Sequence, residues 1–174
     1  TASNVPVPVS SLTGVIAIEG GNDHSLALKN DGTVWAWGMN SSGQLGNGNT
    51  ISSNVPVPVS SLIAVIAIAG ASDHSLALKN DSKVCVWGNN NEGQLGIGTY
   101  TDSNVPVPVS ISGVIAIAAG GFGVHSLALK NDGTVCAWGG NAFGQLGNGT
   151  VTSSNVPVHV NSLSDVTAIA GGYE

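Results

Sequence analysis

The chain has 174 residues, of which only 8% are charged, and its ten acidic residues against four lysines and no arginine give a formal net charge of −6. Because ordinary soluble proteins carry about 25% charged residues, the surface must consist largely of Ser, Thr, Asn and Gly. So few cations cannot neutralise several phosphates, and no apolar run reaches the ~20 residues that span a bilayer, so neither nucleic acid nor a membrane is an expected partner.

The sequence is an array of repeats. NVPVPVS begins at residues 4, 54 and 104 and returns as NVPVHVN at residue 155. Each complete copy is followed by the same segments in the same order: VIAI, HSLALKND, a segment ending in WG, and GQLG. Self-similarity with a period of about 50 residues predicts a single repeat domain. Its units are 4–53, 54–103 and 104–154, followed by a partial unit at 155–174.

The Val-Pro stretch that opens each unit predicts an edge strand. Residues two apart on an extended strand direct their N–H groups to the same side, so Pro6 and Pro8 remove consecutive donors from one side only. The valines keep their donors for the other side, and such a strand can pair once but cannot be extended. A polyproline-like linker is the alternative interpretation. In the fourth copy His159 replaces the second proline, which predicts a less well blocked edge.

The other segments predict three further strands in each unit. Residues 15–18, VIAI, are apolar on both alternating faces and therefore need cover on both sides. HSLALKNDGTVWAWG predicts a hairpin whose turn contains Asn30, Asp31 and Gly32, with the glycine at positive φ. Ser82 replaces that glycine in the second unit, which predicts a strained turn or another turn type. Four short strands per unit predict an all-β protein.

The stretch GGNDHSLALKNDGTVWAWGMNSSGQLGNG at residues 20–48 resembles the repeat of the regulator of chromosome condensation family, and its motifs recur in the next two units. The resemblance implies a β-propeller whose blades are four-stranded antiparallel sheets. Members of the family form seven-bladed rings, and three whole units plus a partial fourth supply about half of such a ring. The ring is therefore expected to be incomplete unless the chain is oligomeric.

Three functions are open on this basis. The first is a non-enzymatic scaffold for protein–protein interaction, as a segment of a longer propeller. The second is a structural module that associates through its end blades into a ring or filament, with a homodimer as one form, because stacked repeats with uncovered end faces are adhesive. The third is a hydrolase that uses Asp23, His24 and Ser25. Strand neighbours point to opposite faces and the pattern recurs in the second unit, so each histidine is expected to hold a turn or an adjacent blade instead.

Other chemistry finds little support in the sequence. The histidines occur once per unit and the two cysteines lack metal-ligand spacing, so neither a metal nor a cofactor is expected. Cys85 and Cys136 occupy the same position in successive units, which predicts free, buried thiols and leaves the cellular compartment undecided. The tryptophans that recur in register are expected to pack in the core or between blades. They are Trp37, Trp87 and Trp138.

A partner-binding surface is expected where the repeat is broken, because scaffold requirements are met by the residues that keep it. The candidates lie near turns, and several are large apolar groups suited to anchoring an interface. Sequence drift among nearly identical copies is the alternative explanation. The candidates are Met39, Asn40, Tyr100, Phe122 and Phe143.

Overall fold

The structure, a computed structural model, describes residues 4–9, 11–120 and 123–172. These residues contain twelve β-strands and no helix. Within the described part, no helix is long and apolar enough to cross a membrane. The strands are β1 Val15–Gly20, β2 His24–Lys29, β3 Val34–Gly38, β4 Ser53–Pro58, β5 Val65–Gly70, β6 His74–Lys79, β7 Val84–Gly88, β8 Ser103–Pro108, β9 Val114–Ala119, β10 His125–Lys130, β11 Val135–Gly139 and β12 Ser154–His159.

The strands form three four-stranded sheets, each with its strands in sequence order. We call them blade 1 (β1–β4), blade 2 (β5–β8) and blade 3 (β9–β12). All pairings are antiparallel, as expected for short strands joined by tight turns. The predicted all-β class and the predicted four-stranded blades are therefore confirmed.

The Val-Pro segments form the outermost strand of each blade, in β4, β8 and β12. The Val59 N–H donates to the Val34 carbonyl at 2.9 Å, and the equivalent bond in blade 2 runs from Val109 to Val84 at 3.0 Å. Since the valines use their donors on the inner side, the prolines lie on the side that has no neighbouring strand in the described part of the chain. The predicted blocked edge is confirmed for the copies that begin at residues 54 and 104. In the copy at residue 155 the Val160 N–H donates to the Val135 carbonyl at 3.0 Å, but His159 keeps an N–H where the other copies have their second proline, so the prediction of a less well blocked edge stands there.

The first copy differs, because residues 4–9 are not part of a strand. The boundaries of the blades also differ from those of the sequence units. Each Val-Pro strand opens a sequence unit but forms the last strand of the blade before it. The chain leaves the third strand through a long loop and returns along the outside of the same sheet. Three blades therefore span residues 15–58, 65–108 and 114–159.

The hydrophobic core lies between successive blades. Leu26, Leu28 and Leu45 of blade 1 pack against Ile68 and Trp87 of blade 2 in one buried cluster, and a second cluster joins blades 2 and 3 in the same way. The first strands approach each other closely, because a Cβ at Gly70 would come within 2.9 Å of the Gly20 backbone. Glycine at this position is what allows the blades to meet.

The expectation that VIAI is covered on both sides holds only in part. The inner strand of blade 2, β5, contacts both neighbouring blades, through β1 and β2 on one side and β9 on the other. Ile16, Ile66 and Ile115 are nevertheless 64%, 58% and 54% exposed. The reason is a β-bulge in each inner strand, because the pairing with the second strand skips this isoleucine and leaves its side chain outside the covered faces.

The turn in which Ser82 replaces glycine keeps the same conformation. Ser82 has φ of 62°, close to the 76° of Gly32 and of Gly133 at the equivalent positions. A residue with a Cβ is destabilised in this left-handed region by about 1 kcal/mol or more. Of the two predicted outcomes, the structure shows strain and not another turn type.

Candidate protein-binding surface at the long-loop end

The two ends of the blades are built differently. Because the strands alternate in direction, the loops between third and fourth strands lie at the same end as the turns between first and second strands. These long loops are residues 39–52, 89–102 and 140–153, and we call this end the long-loop end. The opposite end carries the short hairpin turns that follow β2, β6 and β10, and we call it the short-turn end.

A buried asparagine holds each long loop in shape. Asn40 is fully buried, its side-chain amide donates to the Ile51 carbonyl at 3.1 Å, and its Oδ1 accepts the Leu45 N–H at 2.9 Å. Asn90 and Asn141 make the same two kinds of bond in the other loops. A fully buried, fully bonded amide at the centre of a loop leaves that loop few alternative conformations.

The long loops also contact the next blade. Gln44 accepts the Ser42 N–H at 3.0 Å through Oε1 and donates from Nε2 to Asp73 at 3.1 Å. The Gly48 N–H donates to the Asn104 carbonyl on the outer strand of blade 2 at 2.9 Å. Blades 2 and 3 repeat the loop-to-strand bond at 2.8 Å. The three loops therefore form one continuous and well-braced surface.

A chain of hydrogen bonds joins each pair of blades behind these loops. His24 Nε2 lies 2.9 Å from Ser75 Oγ, and the Ser75 hydroxyl donates to the Gln44 carbonyl at 3.0 Å. Trp87 Nε1–H donates to the same carbonyl at 2.8 Å. Since the serine gives its single proton to the carbonyl, the histidine must be the donor at Nε2. We call this set of contacts the inter-blade joint.

The second joint repeats the first between blades 2 and 3. His74 Nε2 lies 2.9 Å from Ser126 Oγ, and both Ser126 and Trp138 donate to the Gln94 carbonyl at 2.9 Å. The predictions that the histidines hold an adjacent blade and that the tryptophans pack between blades are confirmed for these joints. This is not the arrangement of a catalytic His–Ser pair, in which the histidine accepts the proton of the serine hydroxyl. Here the histidine donates to the serine, and the serine is completely buried.

Burial keeps the joint histidines neutral. It lowers the pKa of His24 from 6.5 to about 4, against a smaller opposing effect of Asp73 and Asp23. Burial, and then the proximity of the other two histidines, lowers the pKa of His74 to about 3. The Nδ1 atom of each ring is buried and has no hydrogen-bond partner among the described residues, so protonation would place an unpaired N–H in the interior.

The predicted binding residues divide into two groups. Met39, Tyr100 and Phe143 lie on the three long loops and are 39%, 54% and 73% exposed. Asn40 is buried and keeps the repeat shared with Asn90 and Asn141, so its interpretation as a surface anchor is corrected to a structural role. Phe122 lies outside the described residues.

Two exposed apolar residues of the long loops were missed from the sequence. Ile51 is 75% exposed and Val151 is 68% exposed. The signal was present, since Thr101 occupies the position of Ile51 and Thr50 that of Val151. The five exposed large apolar side chains described in the long loops therefore all occupy positions at which the three repeats differ.

The sequence analysis also considered two other kinds of group, the cysteine thiols and possible metal ligands. Both cysteines are free thiols, as the sequence predicted, and Cys136 is buried. Cys85 is only half-buried, so the prediction of a buried thiol is wrong at that position. Cys136 Sγ lies 3.9 Å from His159 Nδ1. Among the described residues, no group of three or more His, Cys, Asp or Glu side chains could hold a metal ion.

The outer face of blade 1 contains a half-built joint. Trp37 and Ser25 occupy the positions of Trp87 and Ser75, but they line an open cavity of about 610 Å³ together with Val9, Leu12 and Ile18. Ile18 is 73% exposed, whereas Ile68 at the same position in blade 2 is 6% exposed. This face has the shape and the donors of the inner faces without a blade against it in the described part of the chain.

Comparison with known families agrees with this architecture. The sequence profile described as "Regulator of chromosome condensation (RCC1) repeat" matches residues 31–78, 81–129 and 132–174, and a second profile of the same description matches 15–44, 65–94 and 114–145. The chain belongs to the RCC1 repeat family. The resemblance noted in the sequence is thereby confirmed.

Two similar RCC1 proteins are much longer than this chain. The chain is 34% identical over 172 residues to the RCC1 domain-containing protein RUG3, mitochondrial, of Arabidopsis thaliana, with 97% of the chain and 28% of the relative covered. It is 31% identical over 173 residues to the E3 ubiquitin-protein ligase HERC2 of Homo sapiens, with 97% and 3% covered. The chain thus spans under a third of the length of either relative.

Two solved structures match the three blades. In the crystal structure of Kap60 bound to yeast RCC1 (Prp20), the match covers 95% of this chain and 41% of that chain at 27% identity, with a TM-score of 0.81. The crystal structure of human WBSCR16 is matched over 86% of this chain and 39% of that chain at 31% identity, with a TM-score of 0.75. The three sheets are therefore blades of an RCC1-type propeller.

Proposed function

We propose that the chain is a non-enzymatic propeller scaffold that binds another protein through its long-loop end. The observation that carries this proposal is the position of Met39, Ile51, Tyr100, Phe143 and Val151. These exposed apolar side chains occupy variable positions of otherwise similar repeats, and all lie at one end of the blades. Large apolar side chains on braced loops are suited to anchoring a protein interface at a low entropic cost.

A structural relative gives the proposal context. Yeast RCC1 (Prp20) has been crystallised with Kap60 bound to it, so protein binding occurs in that family member. A non-enzymatic role is favoured because, among the described residues, the His–Ser contacts are those of the two joints, in which His24 and His74 bond to buried serines. Nothing at the joint could receive a substrate without separating two blades.

The repeats supply a clean test of this proposal. The variant Met39→Asn, Tyr100→Thr, Phe143→Ser replaces each residue with one found at the same position in another repeat. The control Ile63→Thr removes an isoleucine that is 65% exposed at the short-turn end and inserts the residue of position 13. All three proteins are used for affinity capture, and captured proteins are then purified and titrated.

We expect wild type and Ile63→Thr to bind the captured partner with the same affinity, and the triple loop variant to bind at least about tenfold more weakly. Circular dichroism must show the same fold for all three proteins. Equal affinities for wild type and the triple loop variant would show that the long-loop end is not the binding surface.

Self-association is the second candidate function, and the open face of blade 1 favours it. Ser25 and Trp37 present the donors that the joints use, while Gln145 of blade 3 stands at the position of Gln44 and Gln94. In a head-to-tail assembly the Gln145 carbonyl of one copy would accept bonds from Ser25 and Trp37 of the next. Gly171, however, approaches Ala119 of β9 as Gly70 approaches Gly20 between blades 1 and 2, where an added blade would place its first strand, so the segment that carries Gly171 would have to move.

Solution mass distinguishes this second candidate from the first. A self-assembling chain has a mass above that of the monomer in sedimentation equilibrium, and Trp37→Ala lowers it to the monomer mass. A monomer at every concentration tested would exclude assembly through the open face and leave partner binding at the long-loop end unaffected.

A further inference from the structure

The charges of the chain are divided between the two ends of the blades. All four lysines lie at the short-turn end, where each is within 4 Å of an aspartate of its own hairpin turn. Asp165, in the connection that packs on Gly133, also lies at this end. The short-turn end therefore carries four lysines and four aspartates and has no net charge. They are Lys29, Lys79, Lys83, Lys130, Asp31, Asp81, Asp132 and Asp165.

Among the residues that the structure describes, the long-loop end carries four carboxylates and no lysine. Asp23 and Asp73 lie in turns after the first strands, and Glu92 and Asp102 lie in the second long loop. Asp73, Glu92 and Asp102 accept hydrogen bonds from the side chain of Gln44, the hydroxyl of Ser153 and the N–H of Asn90. These donors are neutral, so the negative charges are not compensated.

The histidines at this end do not offset the charge. His24, His74 and His125 begin the second strands at this end, and all three rings are buried. Burial lowers the pKa of each from its ordinary value of 6.5, so all three rings are uncharged at pH 7. Of the carboxylates outside the ends, Glu19 lies in β1 and Glu174 lies outside the described residues.

The carboxylates and the exposed apolar side chains share the same loops. Glu92 lies in the same loop as Tyr100, and its hydrogen bond to Ser153 joins that loop to the one that carries Phe143. A bond between Asn89 and Ser42 at 3.5 Å joins it to the loop that carries Met39. The long-loop end is therefore an apolar surface with an uncompensated negative field, whereas the other end is electrically neutral.

We propose that the partner of the long-loop end is a basic protein segment in which lysine or arginine alternates with apolar side chains. This inference rests on the function proposed above and names the chemistry of the partner. Apolar side chains of the segment would pack on Met39, Tyr100 and Phe143, and its cations would lie over the carboxylates. Complementary charge speeds association and selects against acidic partners.

Two triple variants with equal charge test the inference. The long-loop variant is Asp23→Asn, Glu92→Ser, Asp102→Ser, in which both serines are the residues of the first repeat at those positions. The short-turn variant is Asp31→Asn, Asp81→Asn, Asp132→Asn. Each variant removes three negative charges, so a change in peptide affinity that is caused by net charge alone would be the same in both.

The probes are two labelled synthetic peptides of the same pattern, one of lysine, leucine and glycine and one with glutamate in place of lysine. Binding is measured by fluorescence anisotropy at low salt and at about 0.15 M salt, where the screening length falls to about 8 Å. We expect wild type and the short-turn variant to bind the lysine peptide alike, and the long-loop variant to bind it roughly tenfold more weakly at low salt. The glutamate peptide should not bind.

The inference would be overturned if both variants bound the lysine peptide equally weakly, or if neither bound it more weakly than wild type. Either result would show that the position of the negative charges does not affect binding. Binding of the glutamate peptide would also overturn it. The apolar variant Met39→Asn, Tyr100→Thr, Phe143→Ser separates this failure from that of the proposed function. If a captured protein depends on the apolar residues but not on the carboxylates, the surface is correct and the basic chemistry is wrong.

Discussion

The inter-blade joints and the long-loop end use neighbouring residues of the same repeat for opposite purposes. At the joints, His24 and Ser75 have equivalents in His74 and Ser126, with matching distances of 2.9 Å. On the loops, positions such as that of Phe143 change from one repeat to the next. The difference shows that positions buried in the joints are kept, whereas exposed positions of the loops vary.

The largest effect is expected for Trp87→Ala compared with Trp37→Ala. Trp87 is completely buried in a joint and donates to the Gln44 carbonyl, so its removal should destabilise the protein by about 3–5 kcal/mol. Trp37 lines the open cavity, so its removal should have less than half that effect. Urea unfolding measures both free energies, and equal values would show that the face of blade 1 is covered in solution.

The pH dependence of stability should report the joints. The pKa of His24 and His74 is lowered from 6.5 in the unfolded chain to about 4 and about 3 in the folded chain. At a pH between the folded and unfolded pKa values, the unfolded chain binds more protons than the folded chain. The contribution of these histidines to the free energy of unfolding is therefore fully present above about pH 6.5 and is lost as the pH decreases toward 3. The loss should be on the order of a few kcal/mol.

The variant His74→Gln tests whether the joint histidines cause this effect, and His159→Gln is its control. The first variant removes a joint histidine and should flatten the fall in stability between pH 6.5 and 4, measured by urea unfolding at each pH. His159 is exposed, so His159→Gln controls for the loss of an imidazole that is not buried in a joint. A wild-type slope in His74→Gln would mean that the joint histidine does not resist protonation.

A smaller effect is expected at the hairpin turn of blade 2. Ser82→Gly relieves a left-handed residue at φ of 62° and should raise stability by about 0.5–1 kcal/mol. The reciprocal Gly32→Ser should lower stability by a similar amount. Thermal unfolding checks both, and a Ser82→Gly variant no more stable than wild type would show that the turn is unstrained.

The smallest effect on stability is expected at the long loops. Met39→Asn, Tyr100→Thr and Phe143→Ser replace exposed side chains with residues that other repeats carry at the same positions, so each should change stability by less than about 0.5 kcal/mol. Thermal unfolding of the single variants measures this. A loss above about 1 kcal/mol for any of them would assign that residue to the scaffold.

Much of the architecture could be predicted from the sequence because local patterns determine it. Alternating proline and valine indicated a blocked edge strand, and the repeat period indicated the blades. The phase of the blades could not be predicted, because the Val-Pro strand joins the sheet before it through a tertiary contact. The joint was recognised as structural, but its chain from His24 through Ser75 to the Gln44 carbonyl needs the neighbouring blade in place.

The candidate site was predicted only in part. Met39, Tyr100 and Phe143 were found because they break the repeat and are exposed. Asn40 was misassigned because it was counted among the residues that break the repeat, although Asn90 and Asn141 occupy the same position in the next two repeats and their recurrence indicates a structural role. The separation of charge between the two ends could not be recognised from the sequence, because acidic residues that lie at opposite ends of the blades are interspersed along the chain.

The most direct test of a binding surface at the long-loop end is amide hydrogen exchange of the chain with and without a captured protein partner. We expect added protection in residues 89–102 and 140–153, beyond that of the free chain, and none in the hairpin turn at 80–83. Protection confined to the short-turn end would contradict the assignment of the binding surface.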